Sequence, residues 1–215
     1  MIIKGLGREW LWDETDDQNI GVRGVIFHLA PTVRQVVTQF VPTNRRRTCI
    51  QAGGNFGVYP WLLANVFKTV YTCEPDPVLF PLLQANLAGT PNIRALPYGL
   101  GRHGALASMV TANPKNRGCQ WTKPDKTGDV TIVNIDGLEL TDVDFIQLDI
   151  EGSEMEALLG AVETITRDRP VIQLEHKNLG DRFGHAKEDT VDWLLTNHDY
   201  RVAWRPHRDI VLVPK

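Results

Sequence analysis

From Thr48 to the C-terminus, short apolar runs of strand length alternate with longer stretches whose apolar residues fall three and four apart. Runs at 48–51, 69–74, 92–96 and 143–150 read as strands, and the last is apolar enough to be buried on both faces. Segments at about 58–67 and 77–88 read as helices: Pro60 sits near the start of the first, and Asp76-Pro77 opens the second as cap and first-turn proline. Ser153 and Glu156 have the spacing of a capping box, for a helix running to about Val162. A strand at Pro170 to Glu175, a helix at about 187–197 and strands at 200–204 and 209–213 complete the pattern. The tight link Arg205-Pro206-His207-Arg208 predicts an antiparallel closing pair. Strands alternating with helices predict a mostly parallel α/β sheet of seven strands, Rossmann-like, with helices on both faces.

Residues 1–47 lack this regularity and read as an N-terminal cap on a single domain spanning 48–215. They hold Trp10 and Trp12, an acidic cluster (Asp13, Glu14, Asp16, Asp17) and an apolar stretch at 25–29. The tryptophans read as anchors, because each ring buries roughly 150–250 Å². Pro31 with Val33, Val36, Val37 and Phe40 predicts a helix starting at the proline. Residues 99–134 are rich in Gly, Asn, Lys and Thr and predict an excursion at the sheet edge, with β-like pieces at 105–110 and 130–135.

A net charge of −3 argues against a chain whose main task is coating nucleic acid, and Arg45-Arg46-Arg47 reads as a solvated approach to the first strand. No apolar run approaches the roughly 20 residues of a membrane span, so no membrane association is expected. Cys49, Cys73 and Cys119 lack metal-ligand spacing; read as reduced thiols, they suit a cytoplasmic setting.

The chemistry should lie beyond the carboxyl ends of the strands, where strand order reverses. That rule selects Gln51-Ala52-Gly53-Gly54-Asn55-Phe56-Gly57 after the first strand, Glu74 after the second and Tyr98 with Gly99 after the third. It also selects Asp149 to Glu151 after the fourth, and Glu175 with His176 after the fifth. A glycine turn followed by a strand-end carboxylate is half of a nucleoside site: the glycines let backbone N–H groups approach, and the acid accepts from a ribose diol. The leading G-x-G of a dinucleotide turn is missing, which suits S-adenosylmethionine, a nucleoside without phosphate.

The glycine turn, Cys73-Glu74-Pro75-Asp76-Pro77 and Leu148-Asp149-Ile150-Glu151-Gly152-Ser153-Glu154, with Leu158-Leu159-Gly160-Ala161, resemble the FkbM-type S-adenosylmethionine-dependent methyltransferases over about residues 48–176. The resemblance implies O-methylation of a hydroxyl on a small molecule, sugar or glycan. It implies that Gln51, Ala52, Gly53, Asn55, Phe56 and Gly57 surround the amino-acid portion of the cofactor, with Asp149 close by. Glu74 would then hold the ribose, and Pro75, Tyr98 and Gly99 the adenine. Gln51 stands where the family usually has an acid.

An alcohol acceptor must lose its proton, and Asp149, Glu175 and His176 are the candidate bases, His176 being favoured because an unperturbed imidazole titrates near 6.5. A metal-free site is favoured over a divalent ion on Asp149 and Glu175, for want of an evident third ligand. Nucleic acid is the less favoured acceptor; it would need Lys115, Arg117, Lys123 and Lys126 to form a basic face around Trp121. A protein acceptor, and a cofactor-binding partner or regulatory module without turnover, are the remaining alternatives.

Overall fold

The computed structural model describes residues 1–16 and 19–215, with residues 19–29 given as helical backbone alone. Asp17 and the side chains of the 25–29 stretch lie outside the described residues. An antiparallel hairpin, β1 (Ile2–Gly5) and β2 (Arg8–Leu11), precedes the long helix α1 (Asn19–Phe40). Then follow β3 (Thr48–Ala52), α2 (Val58–Ala64), β4 (Thr69–Cys73), α3 (Leu79–Leu87) and β5 (Ile93–Leu96). The excursion contributes β6 (Tyr98–Leu100), β7 (Ala105–Thr111), β8 (Gln120–Pro124) and β9 (Val130–Val133). After it come β10 (Val143–Leu148), α4 (Glu154–Leu159), α5 (Val162–Asp168), β11 (Val171–Glu175), α6 (Asp189–Asn197), β12 (Tyr200–Trp204) and β13 (Asp209–Pro214).

The main sheet has seven strands in the order β12-β13-β11-β10-β3-β4-β5. All pairings are parallel except those of β13, which is antiparallel to both neighbours. The chain leaves β3 toward β4 and β5, then returns to β10 on the other side and continues to β11. The order therefore reverses between β3 and β10, and a crevice opens beyond their carboxyl ends. One apolar layer, built on Ile50, Ile146, Leu148, Leu158, Ile172 and Leu194, covers one face. A second, including Val36, Cys49, Leu63, Val70 and Phe145, covers the other. A third group, Trp10, Trp12, Phe56, Val58 and Leu79, fastens the N-terminal segment to the glycine turn and α3.

Four expectations change. Helix α1 begins twelve residues before Pro31, which sits inside it and forfeits one rung of the ladder. The excursion closes into its own four-stranded sheet, β6-β9-β7-β8, in which β8 was not foreseen. The helix expected to reach Val162 breaks at Gly160, where a Cβ would stand 2.2 Å from the Gly101 carbonyl oxygen. It restarts as α5, whose first-turn N–H groups at Glu163 and Thr164 donate to Asp136 (3.0 and 2.9 Å), a cap remote in sequence. The capping box does not form, because the Ser153 hydroxyl makes no cap bond. Glu154 instead accepts the Ile150 and Gly152 N–H groups (3.0 and 3.4 Å), while Glu156 meets His185 Nε2 at 2.7 Å. Asp76 does cap α3, accepting from Val78 and Leu79 at 2.6 and 3.1 Å.

The arginine run is also engaged. Arg45 and Arg47 converge on the buried Asp144 carboxylate, and Arg46 donates to the carbonyls of Val41 and Val37.

Candidate active site

At the end of β3 the chain turns through Gly53 (φ +82°), which lies so close to β10 that a Cβ would sit 2.0 Å from the Asp149 carbonyl oxygen. A side chain would push the two strand ends apart and open the crevice floor. The Gly53 and Gly54 N–H groups both donate to the Cys73 carbonyl (3.2 and 3.0 Å), binding the turn to the neighbouring strand. Asn55, also left-handed (φ +48°), donates its N–H to Glu74 Oε2 at 2.7 Å. Gly57 (φ +92°) ends the turn and starts α2.

Gln51 is fully buried beneath this turn. Its amide Nε2 donates to the carbonyls of Ala52 and Gly53 (3.1 and 3.0 Å), and its Oε1 accepts the Thr72 hydroxyl. A carboxylate could not make those two donor bonds, since it only accepts. An amide at this position therefore braces the turn from within.

Glu74 is 5% exposed, and Asp76 N–H donates to its second oxygen, Oε1, at 2.9 Å. Burial pushes its carboxyl up to about 7, against the opposing pull of the two N–H donors. Each oxygen keeps a lone pair for a further donor.

The turn and Glu74 border a cavity of about 340 Å³ that runs from Tyr98 and Gly99 to Asp149 and Glu175. Of the sequence-selected residues, Ala52, Gly53, Asn55, Phe56, Glu74 and Pro75 line one part of its wall. Tyr98, Gly99, Asp149 and Glu175 line the rest. Gln51 and Gly57 support the turn from behind and do not line the cavity.

His176 does not reach it either. Side chains alternate past the end of β11, so Glu175 and Lys177 face the cavity while His176 turns to Glu188 (Nε2 to Oε1, 3.4 Å) and to Arg205. Burial lowers its imidazole pKa. The base favoured on pKa grounds is thus placed outside the site.

At the Asp149 end, Asp149, Glu151 and Glu175 each bring a carboxylate oxygen within 4.8 Å of the others. Unscreened by a cation, each such pair would repel by about 3–4 kcal/mol at an effective dielectric near 20. Lys177 supplies the cation: its Nζ lies 3.3 Å from Glu151 Oε1 and bonds Glu175 Oε1. Burial alone would lower its pKa, but Glu175, Glu151 and Asp149 raise it to about 12. Burial lifts both the Asp149 and Glu175 carboxyls above their usual range, and repulsion from Asp149 lifts Glu175 further. Asp149 faces the open cavity, whereas Glu175 is nine-tenths buried. Glu151 holds a left-handed backbone (φ +55°), and Arg182 donates to its carbonyl at 2.8 Å while lying 4.0 Å above the Trp121 ring.

Trp12, Arg117, Gln120 and Trp121 also line the cavity, although no local pattern marks them. Trp12 stacks on Phe56 with ring centroids 3.6 Å apart, so the tryptophan is both anchor and wall. Arg117 is held by Asp13, by Asp16 (backbone N–H to Oδ2, 2.9 Å) and by Asp76 (3.5 Å). Of the residues named for a basic face, Arg117 is engaged by these acids and Trp121 lines the cavity. Lys177 alone had a readable signal, two residues beyond a strand-end glutamate.

Among the described residues, Trp12 Nε1, Asn116 Oδ1, Gln120 Oε1 and Ser153 Oγ are buried atoms of cavity-lining residues that make no hydrogen bond.

A family model described as the methyltransferase FkbM domain matches residues 51–202. A solved methyltransferase FkbM from Methylobacillus flagellatus KT superposes with a TM-score of 0.55 at 20% identity, covering 94% of this chain and 55% of that one. The chain thus spans about half the length of that protein. An rRNA methylase from Streptococcus thermophilus superposes with a TM-score of 0.50 at 11% identity, covering 85% of this chain and 94% of the other. At such identities the likeness is one of fold. No curated protein matches.

Proposed function

The chain belongs to the family of FkbM-domain methyltransferases, and we propose that its reaction is transfer of a methyl group from S-adenosylmethionine to a hydroxyl of a small molecule, sugar or glycan. The residues fit the cofactor. Glu74 keeps lone pairs for a ribose diol, Tyr98 and Pro75 line the same cavity for the adenine, and the Gly53 carbonyl, which accepts one bond from Gln51, keeps a lone pair for a donor. When bound, the cofactor supplies a methyl group activated on a sulfonium.

The protein's own work is alignment of the acceptor and removal of its proton. Lys177 does not act as the base, because its carboxylate neighbours keep it protonated. Asp149 and Glu175 are too close for both to ionise readily, so the pair retains one proton to higher pH than an ordinary carboxyl. The negative charge rests on Asp149, the member open to the cavity. Asp149 then receives the hydroxyl proton at its carboxylate oxygen. This placement of Asp149, at the carboxyl end of β10 and facing the cavity, is the observation that carries the reading.

The test is incubation with methyl-labelled cofactor and a panel of hydroxyl compounds. Asp149→Asn is expected to lower turnover about 10²–10⁴-fold at saturating cofactor. Full turnover in the variant would remove Asp149 from the reaction. Label that is bound but never transferred would mark a binding module, and label entering RNA would replace the acceptor class.

A further inference from the structure

The three carboxylates of Asp149, Glu151 and Glu175 have the chemistry and spacing of a divalent-ion site, within 4.8 Å of one another and all of oxygen. A cation already stands among them. Lys177 Nζ contacts Glu151 and Glu175 from a stem that starts two residues beyond β11, on the side of the strand that faces the cavity. Arg182 adds a second positive group at the rim, 3.9 Å from Glu151 Oε2 and held over Trp121. An ammonium has three donors, and the two carboxylate contacts leave one for the cavity.

We propose that Lys177 is a tethered counter-ion occupying the place of a divalent metal in this carboxylate cluster, and that its remaining N–H orients the acceptor oxygen toward Asp149. The second half rests on the hydroxyl-methylation reading; the first does not. A metal ion and an ammonium compete for the same oxygens, so the wild-type site excludes the metal as long as the lysine stays in place. Removing the charge leaves three carboxylates with no cation among them other than Arg182 at the rim, a set that oxygen-preferring ions bind.

The proposal is tested with Mn²⁺ alone, following free ion by electron paramagnetic resonance and folding by thermal shift. Wild-type protein and Lys177→Arg are expected to show no Mn²⁺ binding below millimolar concentration. Lys177→Met and Lys177→Gln are expected to bind one ion roughly tenfold tighter or more, and adding Asp149→Asn should abolish the gain. A purely structural lysine would lower the melting temperature on replacement without creating an ion site. Tight Mn²⁺ binding by the wild type, or folded Lys177 variants that bind no better, would overturn the proposal. Should neither uncharged variant fold, the wild type decides: stabilisation by Mn²⁺ refutes the tethered counter-ion, and indifference to it supports it. None of these readouts needs methyl transfer, so they stand even if the acceptor class is wrong.

Discussion

Strand β10 carries an aspartate near each end, Asp144 as its second residue and Asp149 just past its last, and their surroundings differ in every respect that sets a charge's role. Asp144 is completely buried and receives bonds from Arg45 Nε (3.1 Å), Arg47 Nε (2.8 Å), Arg47 Nη2 (2.7 Å) and the Arg47 backbone N–H (2.9 Å). Burial pulls its pKa upward, but these donors prevail and hold it below the usual carboxyl range. Asp149 faces a cavity among other acids that share one lysine, and its pKa is raised. A charge satisfied on all sides holds the fold; one left short of partners is available to a ligand.

The largest expected effect of breaking this contrast falls on stability. Asp144→Ala should cost about 2–3 kcal/mol in urea unfolding, below the roughly 3–5 kcal/mol for a fully buried orphaned charge, because Arg45 and Arg47 are about a third exposed and can hydrate. Asp149→Asn should cost nothing or stabilise, since it removes one of three crowded carboxylates. Equal losses at both positions would erase the distinction between the two ends.

Glu74 tests the intermediate case, an acid bonded by two backbone N–H groups yet placed on the cavity wall. Glu74→Ala is expected to weaken cofactor binding by about 1–3 kcal/mol, read by calorimetry. An unchanged affinity would reassign Glu74 to closing the turn through Asn55 and Asp76 alone.

Asp144 and Glu154, on the helix that follows β10, should respond to pH in opposite directions. The depressed carboxyl of Asp144 contributes stability that is present above its unfolded value, near 3.9, and is lost as pH falls through the lower folded value. Glu154, lifted to about 7 chiefly by burial, does the reverse: it costs nothing below its unfolded value near 4.3, and its cost grows as pH rises to about 7. Urea-unfolding free energies measured from pH 3 to 8 should therefore fall less steeply at the acid end in Asp144→Asn, the depressed carboxyls of Asp13, Asp125 and Asp168 keeping the rest of that slope. In Glu154→Gln the decline between about pH 4.5 and 7 should flatten. A variant that changes the wrong arm would contradict the assignment.

What the sequence made legible follows the reach of each interaction. The parallel sheet, its antiparallel final strand and the cavity residues from Ala52 to Gly99 were readable because periodicity, glycine turns and strand ends are local features. The side of the strand on which His176 lies was set by alternation after Glu175, a local rule that outweighs intrinsic pKa as a guide to position. Pairing between distant segments left no trace: Arg117 with Asp13 and Asp76, Arg47 with Asp144, and Asp136 capping α5. Strand β8 was hidden for the same reason, its partner β7 lying across a polar loop.

Ser153 gives the smallest effect and separates local pattern from realised contact. As a cap, its hydroxyl would contribute about 1 kcal/mol. It is 4% exposed and bonded to no described group, so Ser153→Ala should change unfolding free energy by less than about 0.5 kcal/mol. Glu154→Ala, which strands the N–H groups of Ile150 and Gly152, should cost more than Ser153→Ala by about 1 kcal/mol. Ser153 is nonetheless one of the residues that border the cavity. A loss of affinity for cofactor or acceptor without loss of stability in Ser153→Ala would place this residue with Asp149, on the unsatisfied side of the comparison.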